Sequence, residues 1–319
     1  MIRCKETRWF SVTIDDCRPF AKMLCSLVAE LEAQTAVTVP ATHGESMQSE
    51  LFRQLRGLDN SLTSRVHGES DDQPRPYTIS PLYPDRPRTG NGMIYFHPGD
   101  RCWFRLTGLR DDASRLLLAL SETARSWQVR GSSFGGEFEI RQWFACPGEH
   151  PAAGIISLDE MGQAAWHACE QEPDRIRLRF HTPTTFEVAS ESKWASWMPL
   201  PIPKLVFGSL RGKAAKFCPE LGEPPTQAEL VEGRIALGRF HGLESHMLHF
   251  QRRDRRRTGF TGECEFLLDR ELPLKERLWL HLLAGFAFYS GIGGGTSWGM
   301  GQAWREPFEG FLYRGAARR

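Results

Sequence analysis

Gly291-Ile292-Gly293-Gly294-Gly295-Thr296-Ser297-Trp298-Gly299-Met300-Gly301 is the stretch on which the reading turns. It follows a strongly apolar segment, 274–289, that reads as a helix, and it runs into 298–304, which reads as a closing strand. Glycines at such density permit positive φ and close backbone approach, and successive amides in such a turn can form a nest for anions, phosphate above all. A plain connecting turn has the same composition. Two common phosphate loops are excluded. A Walker loop needs Gly-Lys-Ser/Thr before a helix, and no lysine is present; a Rossmann fingerprint follows a strand and opens a helix, the reverse of this order.

Working outward, residues 175–180 alternate as a half-buried strand, and Pro203 sits where proline is favoured, at the first position of a helix bearing Val206, Phe207, Leu210 and Phe217. Segments 234–240 and 259–268 read as strands ahead of the apolar helix. The same order precedes it in the chain: a strand at 23–31, a helix at 43–57, strands at 77–83 and 101–109, a helix at 111–125 and a strand at 134–144. Thr42 and Glu45 have the spacing of a capping box, placing His43 at the helix start. Strand, helix, strand, strand, helix, strand is the split βαββαβ unit. The expected fold is therefore α+β, two ferredoxin-like (RRM-like) folds in tandem. The expected divisions are an extension at 1–22, a first domain at 23–150 and a second at 151–319.

Composition bounds the partners. Lysine plus arginine number 40 against 39 acids, a net charge of +1, so any nucleic-acid reading must rest on local charge. None of the 8 cysteines forms a Cys-x-x-Cys pair, no signal peptide is evident and no apolar run spans a bilayer. A cytoplasmic chain with reduced thiols and no membrane partner is expected.

The loop resembles the C-terminal signature of the CRISPR repeat-RNA endoribonucleases of the RAMP superfamily: Gly-hydrophobic-Gly, five residues, Gly-hydrophobic-Gly. Ala287-Phe288-Tyr289-Ser290 before it is similar to the family's helix end. Phe180-His181-Thr182-Pro183-Thr184, Pro199-Leu200-Pro201-Ile202-Pro203 with Phe207-Gly208-Ser209-Leu210, Val37-Thr38-Val39-Pro40 and Tyr77-Thr78-Ile79-Ser80-Pro81-Leu82 extend the resemblance over about residues 23–305.

The resemblance implies an endoribonuclease that binds a CRISPR repeat stem-loop and cuts precursor crRNA without metal or cofactor. The ribose 2′-hydroxyl attacks the adjacent phosphate, leaving a 2′,3′-cyclic phosphate and a 5′-hydroxyl. The sequence itself has no dense Asp/Glu/His cluster that calls for a metal. The family's base is a histidine four residues after a glycine on the first helix. Counting from Gly44 reaches Gln48, whose amide cannot take a proton near neutral pH. His43 is the nearest replacement, since a helix start favours neutral imidazole and attracts phosphate; a surface helix-start residue is the plain alternative. His67 is a further candidate, and Ser46, Arg53 and Arg56 are placed to orient phosphate. His181 and His241, near strand ends, read as structural or RNA-contact residues.

Arg252, Arg253, Arg255, Arg256 and Arg257 form the densest charge in the chain, expected at a hairpin tip and suited to RNA backbone. Lys204 and Arg211, with Lys213 and Lys216, mark a second basic strip. Gly291, Gly293, Gly294, Gly295, Thr296, Ser297, Gly299 and Gly301 complete the expected RNA-binding set. Repeat RNA and other CRISPR effector subunits are the partners considered; DNA is not expected. The rival reading, motivated by Gln48, is a noncatalytic subunit that holds the guide RNA.

Overall fold

The computed structural model describes residues 22–67, 74–131, 133–188, 196–221, 231–250 and 255–305. They divide into two compact units, the division falling after Ser157 rather than after residue 150. The strand Gly154–Ser157 is the reason: it pairs with the first strand of the first unit.

In the first unit, β1 (Met23–Ala33), α1 (Gly44–Leu58), β2 (Tyr77–Ile79), β3 (Arg101–Gly108), α2 (Asp111–Thr123) and β4 (Gly135–Phe144) follow one another. The core strand order is β2-β3-β1-β4, with β1 antiparallel to both neighbours from Cys25↔Gly108 to Glu32↔Arg101 and from Val28↔Phe144 to Ala33↔Phe138. That is the ferredoxin-like arrangement. Met47, Leu51, Phe52 and Leu55 of α1 and Leu116, Leu117 and Leu120 of α2 pack on one face of this sheet. The other face is covered too: Val28 meets Ala152 and Ala153, with Trp103 and Phe144 alongside. Burial on both faces explains why β1 shows poor alternation.

The second unit opens with α3 (Leu158–Gln171), a helix absent from the sequence reading. Then come β5 (Arg175–Thr184), α4 (Pro203–Phe217), β6 (Ile235–Phe250), β7 (Arg255–Leu268), α5 (Leu274–Ser290) and β8 (Ala303–Arg305). The sheet order is β6-β7-β5-β8, the same topology. Two expectations are corrected here. The closing strand is only Ala303–Arg305, because the residues before it form a short 3₁₀ turn, Thr296–Trp298, flanked by glycines at φ +74° and +87°. The arginine run is not simply a turn: Arg255, Arg256 and Arg257 lie in β7, because β6 and β7 continue far beyond the body of the sheet, pairing to Phe250↔Arg255.

Candidate RNA interface

In the first unit the expected chemistry centres on the start of α1. No capping box forms there: the N-cap is His43, one residue after Thr42, without a side-chain cap bond. His43 is 1% exposed. Its Nδ1 lies 2.7 Å from the Pro40 carbonyl, and the Leu82 amide donates to its Nε2 at 2.8 Å. One nitrogen must therefore carry the proton and the other spend its lone pair on Leu82. Burial lowers its pKa to about 4, against the raising effect of the Pro40 bond. The imidazole is neutral, as a base must be, but no lone pair faces a substrate. In this structure His43 anchors the segment before α1 to the segment after β2, with both ring nitrogens engaged.

Ser46 is likewise occupied. Its hydroxyl donates to the Arg130 carbonyl at 2.6 Å and accepts from the Arg130 amide at 2.7 Å, clamping α1 to the strand Ser126–Arg130 rather than orienting phosphate. Arg53 is bidentate on Glu50 at 2.7 Å and 2.7 Å, an i,i+3 pair whose carboxylate is nearly buried. Gln48 donates from Nε2 to the Tyr77 hydroxyl at 2.7 Å; this pair was not legible in the sequence. His67 ends the helix Asn60–His67, and its side chain lies outside the described residues.

In the second unit the glycine loop is a packed structure, not an open cradle. The Ile292 amide donates to the Gly301 carbonyl at 2.8 Å, Gly294 to Thr185 at 2.9 Å and Gly301 to Pro183 at 3.1 Å. Gly293 donates to the Ser209 hydroxyl at 2.9 Å. These four amides hold the loop together and to the end of β5 and α4, so they are spent within the protein. Glycine is required sterically: a β-carbon on Gly301 would fall 2.1 Å from the Ile292 oxygen, and one on Gly293 would fall 2.3 Å from the Thr185 oxygen. Thr296 and Ser297, expected among the RNA contacts, are buried in this structure.

Lys213, expected on an exposed basic strip, is buried, with Nζ 3.1 Å from both the Ser290 and Gly291 carbonyls. It falls on the stripe of Val206, Leu210 and Phe217, a spacing that marks the buried face of α4. Lys204 is exposed and Arg211 half-buried on the same helix. Arg256 is exposed while Arg257 is buried; Arg252 and Arg253 lie outside the described residues, and so does the side chain of Arg255. His181 stacks on Trp304, ring centroids 3.6 Å apart, and the His241 ring belongs to exposed β6.

The family described as CRISPR-associated endoribonuclease Cas6 matches residues 178–303, which hold the doubled Gly-hydrophobic-Gly turn. Over those residues the chain is similar to Cas6. A Cas6 product complex is 26% identical, with a TM-score of 0.65 over 89% of this chain and 100% of that one. The Thermus thermophilus Cas6 is 24% identical, with a TM-score of 0.63 over 90% and 99%. A Cas6 substrate mimic complex is 25% identical, with a TM-score of 0.58 over 89% and 99%. No curated protein matches the chain in sequence. The likeness extends over both ferredoxin-like units of the chain. Among the described residues, no three His, Cys, Asp or Glu side chains group as metal ligands, and no helix is long and apolar enough to cross a membrane.

Proposed function

We propose that this Cas6-like chain binds CRISPR repeat RNA and cuts precursor crRNA by attack of a ribose 2′-hydroxyl on the adjacent phosphate, without a metal. The observation that carries the reading is the family match across 178–303, which ends with the glycine loop; the product and substrate-mimic complexes among the similar structures support it. In this reading the first unit bears the reacting end and the second holds the RNA. At α1, Gln48, hydrogen-bonded to the Tyr77 hydroxyl, is the group that would help align the scissile phosphate. Positive charge for the developing oxyanion would come from arginine.

A second reading has its own support. With His43 tied at both nitrogens and an amide at position 48, a noncatalytic subunit that retains processed guide RNA is favoured by the same geometry. One experiment separates them. The purified chain is incubated with its own labelled repeat RNA and chelator, and products are resolved on a gel. A product ending in a cyclic phosphate supports the nuclease; tight binding without cleavage supports the holder; no binding removes both.

A further inference from the structure

Arg257 differs from the other hairpin arginines. Strand neighbours point to opposite faces, so Arg256 is exposed while Arg257 is only 7% exposed. Its guanidinium carbon lies 4.0 Å from the centroid of the Trp197 ring and 5.0 Å from that of Trp298. Trp197 belongs to a short strand paired with Phe186–Glu187. Trp298 belongs to the 3₁₀ turn inside the glycine loop. One cation thus joins three separate segments.

The loop backbone lies in van der Waals contact with this stack: a β-carbon on Gly295 would fall 3.4 Å from Nη1 of Arg257, and one on Gly294 would fall 3.4 Å from the Trp197 ring. From the hairpin, Phe250 packs with Trp298 and Met300 as a small cluster of its own, the two rings 6.1 Å apart. The long β6–β7 hairpin and the glycine loop therefore meet at a desolvated cation between indoles. A planar, weakly hydrated guanidinium stacks in such a place better than a strongly hydrated ammonium.

We propose that Arg257 is a positioning residue, a strut that locks the arginine hairpin to the glycine-rich loop so that RNA meets one prepared surface. The proposal rests on the RNA-binding reading above. Ordering a projecting hairpin before the ligand arrives removes that cost from binding. Arg256, on the outward face, is left to meet phosphate.

The test uses the full chain, with Arg257→Ala, Arg257→Lys and Arg256→Ala. Hydrogen exchange is followed in the free protein, and repeat-RNA affinity is measured across a salt series. Arg257→Ala should speed exchange in 291–301 and at the start of β7, leave the first unit unchanged and weaken RNA binding about tenfold with the parent's salt slope. Arg257→Lys should resemble it, keeping the charge but not the stack, and it serves if the alanine variant does not fold. Arg256→Ala should leave exchange alone and make the salt slope shallower by about one unit. Parent-like exchange in both Arg257 variants, or a shallower slope in Arg257→Ala like that of Arg256→Ala, overturns the strut. If the parent binds no repeat RNA, the RNA reading falls, while the exchange data still decide the strut.

Discussion

Lys213 caps Gly291: its Nζ lies 3.1 Å from the Gly291 carbonyl oxygen and the same distance from that of Ser290. Burial lowers its pKa from 10.5 to about 7. A neutral amine has two N–H groups, and two carbonyls are there to receive them. Between about pH 7 and 10.5 the unfolded chain holds a proton that the folded chain lacks, so stability rises with pH across that window. The cost of burying the charge is fully present below it. Urea midpoints from pH 7 to 10 should climb more steeply in the parent than in Lys213→Met. Parallel curves would show that Lys213 does not titrate as its burial requires.

His43→Ala should act on stability rather than on chemistry. It strands the buried Leu82 amide, at a cost of ~1–3 kcal/mol. The single-turnover rate of the folded variant at saturating RNA should change little. A drop of about 10²–10⁴-fold, the size for a lost general base, would return His43 to the reaction. Its lowered pKa also gives a sign. From pH 6.5 down to about 4 the unfolded chain takes up a proton that the folded chain refuses, so this contribution to stability is lost as pH falls. His43→Gln should flatten that part of the acid limb.

Gln48→His would place an imidazole where the amide now meets the Tyr77 hydroxyl. If the nuclease reading holds, cleavage should rise, and its rate should acquire a pH dependence near the imidazole range, about 6.5. Gln48→Ala should cost far less than a lost base. A rate unmoved in Gln48→His, in a variant that binds RNA normally, would take position 48 out of the chemistry.

Two glycine substitutions should have opposite signs. Gly301→Ala forces a β-carbon against the Ile292 oxygen at φ +66°, and should cost ~1–3 kcal/mol. Gly208→Ala, inside α4 with nothing within 4 Å of the added carbon, should stabilise by ~0.4–1 kcal/mol. Thermal melts of the two variants decide both.

The order of elements could be read because long apolar stretches such as 274–289 announce themselves and the glycine loop has a distinctive spacing. α3 escaped because its buried residues, Met161, Ala165 and Cys169, are few among polar neighbours. The length of β6 escaped because that strand is exposed along most of its length, leaving no alternation to read. The site was less legible. Nothing local distinguishes a buried N-cap histidine from an exposed one; His43 is fixed by Leu82, 39 positions away. Arg257 looked like one of five equal charges, and only Trp197 and Trp298, distant in sequence, set it apart. Lys213 could have been caught, since it interrupts an apolar helical stripe.

The pairing of Phe180 with Ala303 bears on how this chain is made. β5 leaves the ribosome about 120 residues before the short strand that closes its side, a wait of roughly 6–24 s at ~5–20 residues per second. Throughout that interval the strand has an open flank. The glycine loop, which must fold for β8 to arrive, thus closes this sheet only after its other strands have been made, and a chain released before residue 303 would leave that flank of β5 unpaired.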